Sequence, residues 1–236
     1  QNLLPGLAGM LHPTQRKKGL INRFKRFTEG GSEDPCLRHY RWMTYLHSRG
    51  RQELYSPDFF KALGPEAAKG AVLTHFRQYD SQDSLNQMMR GDLDIYLAED
   101  ILAKVDRMSM AVSLEARVPY LDHELVEFAF TIPGQAKLSG LNTKVILKNA
   151  FREMLPPEIL RRGKEGFSIP LKNWLQKELR GTMYDILNKQ DIQNTGLFNF
   201  DYIDYLMRQH VAGRESHAHT LWPLMVLMMW GKAFGA

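Results

Sequence analysis

Cysteine is nearly missing from this chain of 236 residues: Cys36 stands alone. No internal disulfide can form, and a reducing compartment, the cytoplasm, is the expected setting. Long apolar runs are missing too. A membrane-spanning helix needs about 18 or more uninterrupted apolar residues. The most apolar stretch, Leu221 to Phe234, is shorter and is broken by Pro223, Gly231 and Lys232. Strand-like alternation is scarce, and there is no internal repeat or low-complexity tract. Gln1–Leu11 has no charged start ahead of its apolar residues, so no secretion signal is expected. The chain opens on Gln1 rather than Met and reads as a piece of a longer polypeptide.

What is present is ordinary globular composition, 44% hydrophobic and 24% charged. The length suits one sizeable domain or two small ones and can bury a core. The net charge of +5 is concentrated at one end. Residues 1–31 hold Arg16, Lys17, Lys18, Arg23, Lys25 and Arg26 against Glu29, while the other 25 residues of each sign cancel. A basic cluster of this kind could bind nucleic acid. However, Leu20, Ile21, Phe24 and Phe27 fall on one helical face, which suits a helix docked on a body with its charges in solvent. Residues 1–31 are therefore read as a basic amphipathic leading segment, without nucleic-acid binding, and residues 32–236 as a helical portion.

After the polar break Glu29 to Pro35, a helix is expected through Tyr40, Met43 and Leu46. Ser56–Pro57 opens another, serine capping and proline suiting the first turn. A further helix runs from Ala67 to Tyr79, and Asp80–Ser84 offers caps for the next. That next helix, roughly Leu85 to Leu114, carries Leu93, Leu97, Ile101, Val105, Met108 and Val112 as a continuous apolar stripe. Asp100, Lys104 and Arg107 share another of its faces. Pro119 is expected to end it by forcing Val118 out of helical geometry. Asp122 caps a short helix to Phe130. Asn142 or Thr143 caps a helix from Lys144 to Met154, stopped by Pro156–Pro157. The stretch from Arg161 to Pro170 is non-periodic, a helix lies around Trp174, and the final elements are helical and aromatic-rich.

Two blocks carry a resemblance. Asp100 to Asp122 reads DILAKVDRMSMAVSLEARVPYLD, and Lys144 to Trp174 reads KVILKNAFREMLPPEILRRGKEGFSIPLKNW. Both resemble segments of the glutamine-dependent asparagine synthetases and their relatives, as does, more weakly, the ending with Leu221–Trp222 and Trp230. Long residue-specific blocks in the right order are far more specific than a short motif. The resemblance implies a mainly α chain: the helical carboxy-terminal portion of an α/β adenine-nucleotide α-hydrolase-like (ATP pyrophosphatase) synthetase domain. It also implies a two-step reaction. The aspartate carboxylate attacks the α-phosphate of ATP, pyrophosphate leaves, and an acyl-adenylate remains. Ammonia from a separate glutaminase domain then displaces AMP and leaves an amide. ATP and Mg2+ are implied for the complete enzyme, because charge shifts onto the leaving pyrophosphate and then onto a tetrahedral oxyanion. Neither is expected to bind tightly to this chain alone.

The resemblance places the catalytic lysine at Lys164, in a glycine-flanked, non-helical stretch where backbone can approach a ligand. On its residues alone it also reads as a solvated lysine in a basic loop. Lys144 matches a family lysine as well; its other reading is a surface residue in the first turn of a helix, where the dipole disfavours it. Asp100, Lys104, Asp106 and Arg107 can build a polar cluster toward substrate or ATP, or simply helix-surface ion pairs. Glu115 and Arg117 point the same way if their segment is extended, as a substrate contact or as a buried structural pair. His217 and His219 lack partners for a metal site and read as a solvated loop. Gly30–Gly31–Ser32 is no phosphate loop, since a basic amphipathic segment precedes it. Cys36 is no glutaminase nucleophile, and the methionine-rich tail reads as core.

The family's serine-glycine-glycine-x-aspartate-serine pyrophosphate loop and its S-G-E-G-x-D-E segment do not occur in the 236 residues. The expected partners are the phosphate-loop half and the glutaminase domain of the same enzyme, small-molecule substrates and, as one outcome, further copies of the chain. Without the phosphate loop the chain is expected to be inactive alone and to expose apolar surface. The competing reading is a non-catalytic helical scaffold of the same architecture.

Overall fold

The computed structural model describes residues 34–46, 48–64, 67–77, 83–163 and 169–235. The leading segment expected over residues 1–31 lies outside them. The chain is mainly α. In order come α1 (Pro35–Met43), α2 (Ser48–Leu54), α3 (Pro57–Leu63), α4 (Ala67–Arg77), α5 (Ser84–Gly91), a π-helical segment (Asp92–Leu102) and α6 (Ala103–Met110). A 3-10 turn (Pro119–Leu121), α7 (His123–Thr131), α8 (Gly134–Lys137), β1 (Leu138–Ser139), β2 (Asn142–Thr143), α9 (Val145–Ala150) and α10 (Pro157–Arg161) follow. The remainder is α11 (Leu171–Gln176), α12 (Arg180–Ile186), α13 (Lys189–Thr195), α14 (Phe200–Val211) and α15 (Ala218–Phe234). The chain divides into two compact units: Gln1–Lys69 with Ser168–Ala236, and Gly70–Phe167.

The first unit owes its helices to local caps and its cohesion to a sizeable core. Asp34 accepts the N–H of Cys36 at 2.7 Å and of Leu37 at 3.3 Å, with Pro35 in the first turn of α1. That helix stops at Met43 and leaves out Leu46, because Thr44 is extended and Leu46 instead packs against the core. The Ser56 hydroxyl accepts the Phe59 N–H at 3.3 Å and donates to the Gly196 carbonyl at 2.7 Å. The Ser56 N–H reaches Leu197 O at 2.9 Å, and the Asn199 N–H reaches Leu54 O at 2.8 Å. These bonds stitch the front of the unit to its distant second half, and Leu54 joins Ile203, Leu206, Met207, Leu221, Leu224 and Met225 in the core. The methionine-rich tail is core on its inner side, as expected, with Met225 and Met228 buried.

His217 and His219, read above as a solvated loop, are both half-buried. His210 is completely buried: its Nε2 faces the Lys172 carbonyl at 3.1 Å and its Nδ1 accepts the His217 N–H at 3.1 Å. Its own carbonyl takes the Gln176 amide at 2.7 Å. His219 stacks on Tyr45 with centroids 4.4 Å apart. The solvated-loop expectation failed because α14 and α15 fold back on each other, which sets His217 against the buried His210 and His219 against Tyr45. Burial pushes the His210 pKa below its ordinary value; the bond to the Lys172 carbonyl opposes this, and the charges of His217 and Lys172 add to the lowering. The unfolded chain therefore binds a proton more readily than the folded one. Stability is fully present above about pH 6.5 and falls as the pH drops from there toward the lower folded pKa. The urea midpoint should fall between about pH 7.5 and about pH 5, and His210→Gln should make that fall shallower; an equal slope in the variant would refute the assignment.

The second unit is built on the helical run Ser84–Met110, close to the expected Leu85–Leu114. Asp83 caps it, Oδ1 accepting the N–H groups of Leu85 at 3.0 Å and Asn86 at 3.1 Å. Its other oxygen accepts the Gly134 N–H at 2.5 Å. The nearly buried Asn86 donates to the carbonyls of Phe130 (3.4 Å) and Ile132 (3.1 Å) and accepts the Lys137 ammonium at 2.5 Å. Backbone donors, Gly134 first, hold the Asp83 carboxyl below its usual pKa, and burial lowers that of Lys137. This knot fixes the root of the long helix to α7 and α8. Asp122 caps α7 as expected, through the N–H groups of Glu124 and Leu125.

Three expectations for this unit are corrected. Pro119 does not end the long helix, which stops at Met110; Pro119 instead opens the 3-10 turn, and Val118 is extended as proposed. The apolar stripe is not continuously covered, since Leu93, Leu97 and Ile101 are half-buried but Val105, Met108 and Val112 are exposed. Asn142 and Thr143 cap no helix, because they are strand β2, paired with β1 across the Gly140–Leu141 turn, and Lys144 takes the cap position of a helix that ends at Ala150. Among the described residues, Leu73 and Phe76 are the buried apolar side chains of this unit. Met108, Val112, Leu114, Tyr120, Phe128, Leu141 and Met154 all face outward, the open apolar surface that was expected.

Candidate functional site

The described members of the expected site all lie in the second unit. Asp100 closes in on the end of the π-helical segment, and Lys104 stands one turn on, in α6. Their side chains pair at 3.5 Å and both are exposed. Such a pair adds only about 0.3–0.5 kcal/mol to stability, so its worth as structure is small. Asp106 accepts the Ser109 hydroxyl through its backbone carbonyl at 3.1 Å, a local bond of the helix end. Arg107 is exposed and enters none of the ion pairs among the described residues.

The π-helical stretch is unforeseen. Eleven residues with π geometry inside an α-helical run is unusual, since that form appears mostly as single turns and frequently at functional sites. It ends at Leu102, within the first motif block, and its register sets the direction of Asp100.

Beyond α6, Glu115 and Arg117 pair at 2.6 Å, side chains on one side of an extended segment, as alternation predicts. The buried form of that pair is corrected: Arg117 is 83% and Glu115 66% exposed. No element of this unit covers them, and a guanidinium open to solvent is available for planar recognition of a carboxylate or phosphate.

Lys144 differs most from its expected setting. It follows the hairpin in which Gly140, at φ 58°, fills the position that tight turns reserve for glycine. Lys144 itself then adopts φ 58°, ψ 35°, a left-handed backbone that costs a residue with a Cβ about 1 kcal/mol or more. Its side chain is exposed and joins no ion pair among the described residues. Strain of this kind gathers at ligand sites, and no signal in the sequence could have disclosed it. Lys164 lies outside the described residues.

Among the described residues, no group of three His, Cys, Asp or Glu side chains could hold a metal ion, so Mg2+ is assigned no ligand there. No described helix is long and apolar enough to cross a membrane. A cleft of about 430 Å³ in the first unit, lined by Leu197, Phe198, Leu227, Trp230 and the Asp191–Lys232 pair, contains none of the motif residues.

These observations can be set beside known proteins. The asparagine synthase family model matches residues 7–232. The chain is 32% identical over 157 residues to "Asparagine synthetase [glutamine-hydrolyzing] 1" of Bacillus subtilis, covering 66% of this chain and 24% of that protein. It is 33% identical over 176 residues to the asparagine synthetase of Gallus gallus, covering 66% of this chain and 30% of that one. A more distant relative, 26% identical over 102 residues and covering 41% of this chain and 15% of its own length, is "Amidase chyE" of Penicillium rubens. The chain thus spans about a quarter to a third of the length of these two synthetases. No solved structure matches it significantly. With a family match over nearly its whole length, this chain belongs to the asparagine synthase family.

Proposed function

We propose that the second unit supplies acceptor- and phosphate-facing groups to an ATP-dependent ligase that makes asparagine from aspartate, ATP and glutamine-derived ammonia. Lys164 and Lys144 face phosphate oxygens and the charge that develops on pyrophosphate and on the oxyanion. Arg107, with the Asp100–Lys104 pair, lines the nucleotide side, and Arg117, held by Glu115, takes a carboxylate. In the first step a carboxylate oxygen bonds to the α-phosphorus as the bond to pyrophosphate breaks. In the second, ammonia nitrogen bonds to the acyl carbon, AMP departs and nitrogen gives up a proton. These side chains bind and orient; positioning of this kind supplies much of the acceleration in phosphoryl transfer.

The observation that carries the reading is the exposure of Asp100, Lys104, Arg107, Glu115, Arg117 and Lys144 together with the uncovered apolar side chains of the same unit. Exposed apolar side chains gathered with charged groups in one unit suit a face meant to be covered, here by the part of the polypeptide carrying the phosphate loop. An ATP–pyrophosphate exchange assay with aspartate and Mg2+ tests it. This chain alone should give no exchange, and the polypeptide that also carries the phosphate loop should give it. In the latter, Lys144→Ala should cut kcat/KM by roughly 10–100-fold. Exchange by this chain alone would overturn the incompleteness, and a complete polypeptide without exchange would leave the non-catalytic scaffold as the better account.

A further inference from the structure

We infer that Ser113 is a positioning residue, whose left-handed backbone aims the Glu115–Arg117 pair at the acceptor carboxylate; this rests on the function just proposed. The long helix ends in a six-residue closure. The Leu114 N–H returns to the Ser109 carbonyl at 3.0 Å, and the Ser113 N–H to the Met110 carbonyl at 3.0 Å. These are the two bonds of a Schellman turn, whose penultimate residue must be left-handed and is usually glycine. Here it is serine, at φ 59°. Among the described residues only Ser113 and Lys144 combine a side chain with such a backbone, and both stand in the motif blocks. A helix that merely had to stop could do so with glycine.

The turn has a definite output. It redirects the chain out of α6 into the stretch that ends at the extended Val118, and alternation from Ser113 onward puts residues 115 and 117 on the same side. The 2.6 Å pair between them is the result. If the turn were lost, residues 111–113 would be free to continue the helix. Positions 115 and 117 would then fall on different faces, because side chains two apart on a helix do not meet.

The experiment compares Ser113→Gly, Ser113→Asn and Ser113→Val. Glycine and asparagine accept the left-handed backbone while removing the hydroxyl; β-branched valine does not accept it. On this chain, trypsin cleavage after the exposed Arg117 is the geometric readout. Valine should speed it about 10-fold relative to cleavage after Arg180 in the other unit, with glycine and asparagine close to the parent. In the complete polypeptide, valine should raise KM for aspartate about 10-fold or more, with a smaller change in kcat, while glycine and asparagine stay within about 3-fold. Glycine as damaging as valine would assign the effect to the hydroxyl and overturn the inference. Valine without effect on cleavage or on KM would overturn it too. Should the parent polypeptide show no exchange with aspartate, the functional reading fails, and the cleavage pattern alone decides whether Ser113 sets the geometry of the pair.

Discussion

Replacing Gly91 by alanine should destabilise the second unit by about 3 kcal/mol, the upper end for an overpacked interior site. A Cβ at Gly91 would lie 2.0 and 2.1 Å from two ring carbons of Phe76, where real Cβ atoms essentially never approach below about 3 Å. Phe76 is wholly buried and, with Leu73, makes up the buried apolar side chains of this unit among the described residues. Its ring can yield only by leaving its site. A unit with so small an interior has little stability to lose, so the variant should expose the Ser84–Met110 run to amide exchange at close to unprotected rates. Gly70→Ala is the matched control: a Cβ there meets nothing within 4 Å, and in helix α4 it should add about 0.5–1 kcal/mol. If both variants unfold at the parent temperature, the seating of Phe76 on Gly91 is wrong.

Leu221→Ala should cost about 2–5 kcal/mol, the usual range for a fully enclosed leucine whose removal leaves a cavity. Leu227→Ala, in the same helix, should cost less than about 1 kcal/mol, since most surface substitutions move stability little. Leu221 is 0% exposed within the main core and Leu227 41% exposed. The chemistry removed is identical, so the difference measures burial alone. Urea midpoints of the two variants provide the check, and equal losses would mean that α15 is packed on another face.

The same helix shows where reading a sequence stops. Ala218–Phe234 is apolar on every side, with Leu221, Leu224, Leu227, Met225 and Met229 all plausible core. A helix with no polar face does not declare which side is inside, and the partner surfaces come from distant chain. Caps behave differently. Asp34, Ser56, Asp83 and Asp122 act on N–H groups two or three residues away, so their roles are written locally and three of them were anticipated in place. The paired charges at Asp100–Lys104 and Glu115–Arg117 were legible for the same reason, being fixed by helical and extended periodicity. Ser113, Lys144 and the π-helical register were not. Each is a backbone state that its own residues disfavour and that the surroundings impose, and no local preference announces it. The second oxygen of Asp83, bound to Gly134, was equally hidden, since 51 residues separate the partners.

The seam between Leu54–Ser56 and Gly196–Asn199 carries a consequence for how the protein is made. Ser56 finds its carbonyl partner 140 residues later in the chain. At bacterial or eukaryotic elongation speeds, that interval lasts on the order of 10–30 s. Throughout it the α2–α3 region stands outside the ribosome with Leu54 uncovered, while the whole of the intervening unit is synthesised and can fold. Folding of the first unit is therefore expected to wait until α14 and α15 arrive, later than folding of the intervening unit can begin.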